Sequence, residues 1–244
     1  MPLDVQTLLV VGSFAALVPG LLIPLIWRQE HGAPCLLTWG SGHLIGAIGL
    51  LITLLPPPVP AQVATQLGNA LVLLFYATVW SAARQFEGRR LVPLGMAAGP
   101  ALWLIACQIP AFYASLEARV MLVSTVAGAY SLAAAVELWR GRQGVKLLSQ
   151  WLLIGLLLLL VLHHTCQILF GRAWPNPIAT GLPPMLILAG PFLLLSLVHE
   201  RSAHRHQEEA RIDPVTGVSN RRGFLEAAAR CLTPRRWRDR APTA

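Results

Sequence analysis

Two adjacent histidines, His163 and His164, lie inside the apolar run LLLLLVLHHTCQILF. A polar side chain in such a run is costly unless it has a partner or a task. Imidazoles are common ligands for metals and haem iron, but such a site needs further donors at the same height. His43 is the obvious third ring. At 1.5 Å per helical residue it stands about 12 Å from one end of its segment and His163 about 22 Å from the same side, too far apart for one ion. Asn69, Gln108, Thr125 and Gln167 are expected nearer the histidine pair. With His163 and His164 they form a candidate intramembrane pocket, open to the exterior, for an unidentified small-molecule signal. The competing reading is a set of hydrogen-bonded helix contacts with no ligand. No catalytic constellation and no metal-ligand set stands out.

Other chemistry-bearing residues are sparse. Cys35, Cys107 and Cys166 fall in apolar segments and Cys231 in the tail, with no Cys-x-x-Cys spacing to signal zinc or a redox pair. Cys107 and Cys166 both approach the outer surface, which makes a disulfide conceivable. Glu137 and Arg140, one helical turn apart, read as a local interface pair, and Glu117 and Arg119 as residues of the external margin.

These side chains must be positioned by membrane helices. Only 12% of the residues are charged, and apolar residues form long runs, so a soluble enzyme of this length is excluded. Crossing the hydrocarbon core takes about 20 apolar residues. Seven segments come close: Val5–Trp27, Cys35–Leu55, Gln62–Ala83, Val92–Pro110, Ala118–Trp139, Leu148–Phe170 and Ala179–Val198, the fourth being the shortest. The first is read as a retained span and not a signal peptide, because no Lys or Arg precedes Arg28.

Loop charges give the orientation. Arg28, the group Arg84, Arg89 and Arg90, the group Arg140, Arg142 and Lys146, and the basic tail occupy alternate connections. Cytoplasmic loops retain basic residues, so the N-terminus is expected outside and the C-terminus inside. The net charge of +8 therefore reports orientation and not a nucleic-acid partner. Trp27, Trp39, Trp80, Trp139 and Trp151 fall at the same ends of their spans, as interfacial indoles do. Gly42 with Gly46, and Gly95 with Gly99, allow close helix packing.

From His199 the sequence turns charged and helix-favouring, so the seventh helix is expected to continue to Ile212 as a cytoplasmic stalk without a strong coiled-coil heptad. Next comes DPVTGVSNRRGF, Asp213 to Phe224, a turn leading to Asn220 in a helix-capping position. The stretch resembles the opening motif of the GGDEF family, the diguanylate cyclases of bacterial cyclic di-GMP signalling, written D-x-L-T-G-L-x-N-R-R. The matched positions are Asp213, Thr216, Gly217, Asn220 and Arg221, with Val215 and Val218 in place of the usual leucines. In the family this turn couples an incoming signalling helix to an α/β catalytic domain that condenses two GTP with magnesium.

The family's GG[DE]EF loop does not occur in the 244 residues, and after Asp213 the only acidic residues are Glu226 and Asp239. The helix after Asn220 places Phe224, Leu225, Ala228 and Leu232 on one face with nothing following to cover it. The expectation is an all-α polytopic membrane protein of the bacterial inner membrane: a seven-span sensor bundle (1–198), a linker helix (199–212), a truncated GGDEF opening motif and helix (213–232), and an irregular basic tail (233–244). GTP and magnesium belong to the absent catalytic part, so the chain has no cofactor of its own. The partners implied are the lipid bilayer, the signal molecule, and a second copy or an intact cyclase. The alternatives are an intramembrane metal- or haem-binding protein or transporter centred on His163 and His164, and a non-catalytic membrane partner of a cyclase.

Overall fold

The computed structural model describes residues 5–28, 33–54, 59–141, 147–170 and 176–209, together with Val218, Asn220 and Phe224. Every element among them is helical: α1 Val5–Trp27, α2 Pro34–Thr53, α3 Ala61–Phe86, α4 Pro93–Ala106, α5 Pro110–Ala114, α6 Leu116–Gly141, α7 Leu148–Phe170 and α8 Asn176–Glu209. Six stretches are long and apolar enough to cross a bilayer: Gln6–Trp27, Pro34–Thr53, Ala61–Phe86, Leu116–Gly141, Leu148–Phe170 and Leu186–Gln207. Among the described residues the chain is all-helical, and these six helices mark it as a multi-pass membrane protein. Its contacts divide it into Met1–Val198 and His199–Ala244.

Proline sets several helix starts, because its missing N–H and fixed φ suit the first turn. Pro34, Pro93 and Pro110 open α2, α4 and α5. Pro110 also explains why the expected fourth span is short. The chain tightens after Ala106, with Gln108 N–H donating to Ile105 O at 3.0 Å and Ile109 N–H to Ala106 O at 3.1 Å. Ile109 is then extended, as a residue before proline prefers. α4 keeps 14 residues, about 21 Å of rise, instead of the expected Val92–Pro110.

Direction alternates through the first unit. Gly20 lies against Leu44 and Gly40 against Pro24, so α2 runs back along α1. Gly42 meets Thr78, Gly46 meets Phe75 and Gly49 meets Gly68, which sets α3 antiparallel to α2. A Cβ at Gly20, Gly40, Gly42, Gly49 or Gly68 would collide with its neighbour and one at Gly46 would press on Phe75, so both members of the Gly42/Gly46 pair serve packing within the bundle. Gly95 meets Trp80 and the Trp103 indole donates to Gln66 O at 3.0 Å, so α4 returns along α3. Gln150 bonds Leu138 O, and Ser124 bonds Gln167, which sets α7 antiparallel to α6. Ser149 bonds Ser196 while Gly190 approaches Trp39 and Leu156, so α8 runs back along α7 and α2.

Three sequence expectations change. Trp39 is 2% exposed, so this indole is core and not interface; Trp139 and Trp151, edge to face at 5.4 Å, are the exposed pair. Cys107 and Cys166 are free thiols, not a disulfide. Glu137 is held by Arg84 and Arg89 of the α3 end, in place of the expected Arg140 on its own helix, because Glu137 faces into the bundle while Arg140 is exposed.

Candidate functional site

Four helices contribute to a continuous set of aromatic and polar side chains in the bundle, and a fifth, α8, adds a backbone carbonyl. α2 brings His43, whose Nδ1 donates to Trp39 O at 2.9 Å. A neutral imidazole has one N–H, so the longer 3.4 Å approach of Nε2 to Ile187 O on α8 is the weaker contact. The His43 ring meets Phe75 edge-on at 5.0 Å, Phe75 meets Tyr76 at 5.1 Å, and Tyr76 meets His164 at 5.4 Å. The two rings of α3 thus fill the separation between His43 and the α7 histidines that helical rise predicts.

The hydrogen bonds fix more than position. Ser124 Oγ donates to Gln167 Oε1 at 2.7 Å, leaving the Gln167 amide to donate from Nε2 to His163 Nε2 at 2.9 Å. An accepting Nε2 puts the His163 proton on Nδ1. Tyr76 and His164 Nε2 stand 3.2 Å apart, and a donating hydroxyl places the His164 proton on Nδ1 as well. Both Nδ1 atoms are buried without a hydrogen-bond partner among the described residues, and the two rings are 2% and 6% exposed. The pair therefore carries two spare donors in an apolar setting, able to hold an acceptor group. A cavity of about 20 Å³, room for one water, touches Trp39, His43, Tyr76 and Ser131 but neither His163 nor His164.

The structure gathers His163, His164 and Gln167 but not the rest of the expected pocket. Asn69, Gln108 and Thr125 each bond the carbonyl four residues earlier, of Thr65, Leu104 and Met121, and Gln108 and Thr125 are exposed. The α6 hydroxyl in the network is Ser124, one residue and about 100° of helix from Thr125. Tyr76 and Ser124 were not expected. Their signal is spacing: Ser124 shares a face with the small buried residues Ala127 and Ser131. No group of three His, Cys, Asp or Glu side chains able to hold a metal occurs among the described residues.

A second polar centre closes the end where α3 and α6 finish. Gly88, at φ +71°, ends α3 with its N–H on Gln85 O at 3.0 Å, and Arg89 N–H returns to Arg84 O at 2.8 Å. This glycine-capped turn brings Arg89 beside Arg84. Each guanidinium then takes one oxygen of Glu137, both at 2.5 Å. Gln150 Nε2 reaches Leu138 O at 2.9 Å and Glu87 Oε1 at 3.3 Å.

Of the coupling motif, Asp213, Thr216, Gly217 and Arg221 lie outside the described residues. At Asn220 the carbonyl accepts the Phe224 N–H at 2.9 Å, the first bond of a helical turn, and Phe224 is exposed. Comparison of the chain with protein-family models, with curated proteins and with solved structures finds no match.

Proposed function

We propose that the chain is the membrane input and coupling part of a diguanylate cyclase-like signalling protein, acting in the bacterial inner membrane. The observation that carries this reading is the stretch Asp213 to Phe224, with its GGDEF-like opening motif directly after a long helix. Two features support it. α8 is helical to Glu209, as a helical lead into an output domain requires, and Asn220 begins a helical turn where the motif has its cap. The alternation of helix direction supports a seven-crossing frame with α4 as a short fourth pass. It leaves the arginine-bearing ends of α3 and α6 on one side, the cytoplasmic one by their charge.

In this reading a signal accepts hydrogen bonds from the Nδ1 atoms of His163 and His164, biases the packing of α7 against α8, and changes how two output domains approach. The test joins residues 1–221 to an intact GGDEF output domain and measures cyclic di-GMP in cells. Output that responds to growth conditions and loses that response with alanine at both histidines is expected. Output indifferent to replacement of residues 1–198 by unrelated spans overturns it.

The buried histidine pair also carries a second reading, a haem- or metal-binding membrane protein, in which each ring would have to give up its Nδ1 proton, or turn, to offer a lone pair. A Soret band or stoichiometric metal in the purified protein would favour it over a signalling input. Modulation of an intact cyclase by the bundle without any ligand would point instead to a non-catalytic membrane partner.

A further inference from the structure

Away from the histidines, a groove of about 410 Å³ runs between α4 and α6, lined among others by Trp80, Gly95, Gly99, Thr125, Ala129 and Ala133. Small residues make it. The α4 glycines leave no side chain on one wall and the α6 alanines leave one carbon on the other, while Leu102 lines one end and Ile105 turns outward, 49% and 66% exposed. At Gly99 the helices touch, since a Cβ there would meet Tyr130 and Val126. The Tyr130 hydroxyl stands between two backbone groups of α4, donating to Gly95 O at 2.6 Å and accepting the Gly99 N–H at 3.0 Å. That insertion anchors the groove floor.

One end of the groove is basic. Trp80, Gly95 and Ala133 lie there, and Thr125 and Leu102 lie seven or eight residues deeper, about 11 Å by helical rise. The Arg84 guanidinium covers Trp80 at 5.3 Å from the ring centre, and its Nε donates to Arg90 O at 3.1 Å, which holds Arg90 at the mouth. Arg140 follows Ala133 by seven residues, so it leaves α6 on the groove's face. Four arginines (84, 89, 90 and 140) meet two carboxylates (Glu87 and Glu137), an excess of two positive charges. Glu137 is already taken by Arg84 and Arg89, whereas Arg90 and Arg140 are exposed and have no ion pair among the described residues.

We propose that this groove holds an acyl chain of an anionic phospholipid, whose phosphate lies between Arg90 and Arg140. The lining is apolar apart from Thr125 and Tyr130 along about 11 Å, as an acyl chain requires. Charge selects an anionic headgroup, since basic clusters at a membrane surface attract acidic lipids. The inference rests on the multi-pass bundle and not on the reading of the tail.

The full chain is placed in vesicles of phosphatidylglycerol or phosphatidylcholine with brominated acyl chains, and the Trp80 fluorescence is read as wild type minus Trp80→Phe. Phosphatidylglycerol is expected to quench it about fivefold more effectively for each arginine engaged. The double variant Arg90→Gln/Arg140→Gln removes that preference and leaves quenching by phosphatidylcholine unchanged. Ala129→Leu, which narrows the groove, lowers quenching by both lipids. Because Trp80→Phe also removes the ring beneath Arg84, the phospholipid retained after detergent extraction is weighed independently for wild type and the arginine variant. Equal quenching by the two headgroups overturns the proposal, as does retention in the vesicle's own proportions. Trp80 shielded from both lipids by a cross-linkable second copy also overturns it.

Discussion

At the end of α3, Glu137 receives a guanidinium on each oxygen, and Gln150 bridges Leu138 O and Glu87 across the same region. About 12 Å further along α3, Tyr76 meets a histidine pair at least as deeply buried, yet His163 and His164 each keep one ring nitrogen without a partner. The contrast follows from charge. A buried carboxylate left unpaired is so costly that Glu137 must be matched on both oxygens, whereas an unmatched donor on a neutral ring costs only about 1–3 kcal/mol and is tolerated, as is the unpartnered Gln85 Oε1 in the last turn of α3. Matched polar groups fix a structure. Spare ones leave something for a ligand to complete, which is why the proposed signal site is placed at the histidines.

The contrast predicts that Glu137→Ala has the largest effect on stability. Removing one partner of a buried ion pair costs about 3–5 kcal/mol. Arg89 is 40% exposed and Arg84 19%, so water offsets part of that loss and about 2–3 kcal/mol is expected. Thermal unfolding in detergent measures it. A loss below about 1 kcal/mol would mean that the pairing does not tie α3 to α6.

Tyr76→Phe comes next. The ring keeps its edge contacts with Phe75 and His164, but the hydroxyl is lost and His164 is left with no bond on either nitrogen. About 1–2 kcal/mol is expected from the same unfolding measurement. An unchanged stability would show that the 3.2 Å contact is geometric only.

Gly88→Ala is smaller, about 1 kcal/mol, because nothing lies within 4 Å of the added carbon and only the left-handed φ is strained. Its value lies in coupling. If Gly88 acts by setting Arg89 beside Arg84, the effect shrinks when Glu137 is already alanine. Full additivity in the double variant would separate the turn from the ion pair.

Much of this fold is legible in the sequence, because apolar run length is a local signal. Val5–Trp27 and Leu148–Phe170 match helix bounds residue for residue; Pro34 and Pro93 start helices one residue from the expected bounds, whereas Pro110, expected to close the fourth span, starts α5. What is not legible depends on rotation and partner choice. Thr125 and Ser124 are both hydroxyls in one run, and only packing decides that the second faces Gln167. Glu137 has an arginine one turn away in sequence, yet it is taken by Arg84 of α3 and by Arg89, which the Gly88 turn folds back beside Arg84. Trp39 obeys no belt rule, because the bare backbone at Gly190 opens space for its ring between α2 and α8.

The smallest expected effect belongs to the double variant Tyr76→Phe/His164→Phe. Either single change strands a polar group in the core: the tyrosine hydroxyl when the imidazole goes, the imidazole when the hydroxyl goes. Replacing both leaves two apolar rings edge to edge in place of a polar pair, and also removes the unpartnered Nδ1. Such exchanges are close to neutral, so unfolding is expected within about 1 kcal/mol of wild type, with each single variant below it. The resulting coupling between the two positions, about 1–2 kcal/mol, is the signature of a neutral pair whose members need only each other. Should the double variant instead lose as much as Glu137→Ala, the Tyr76–His164 pair would be a structural tie of the same kind as the basic end. The spare-donor account of the histidines would then fail. Should it fold as wild type while the fused output loses its response, the histidines' polarity serves the signal and not the fold.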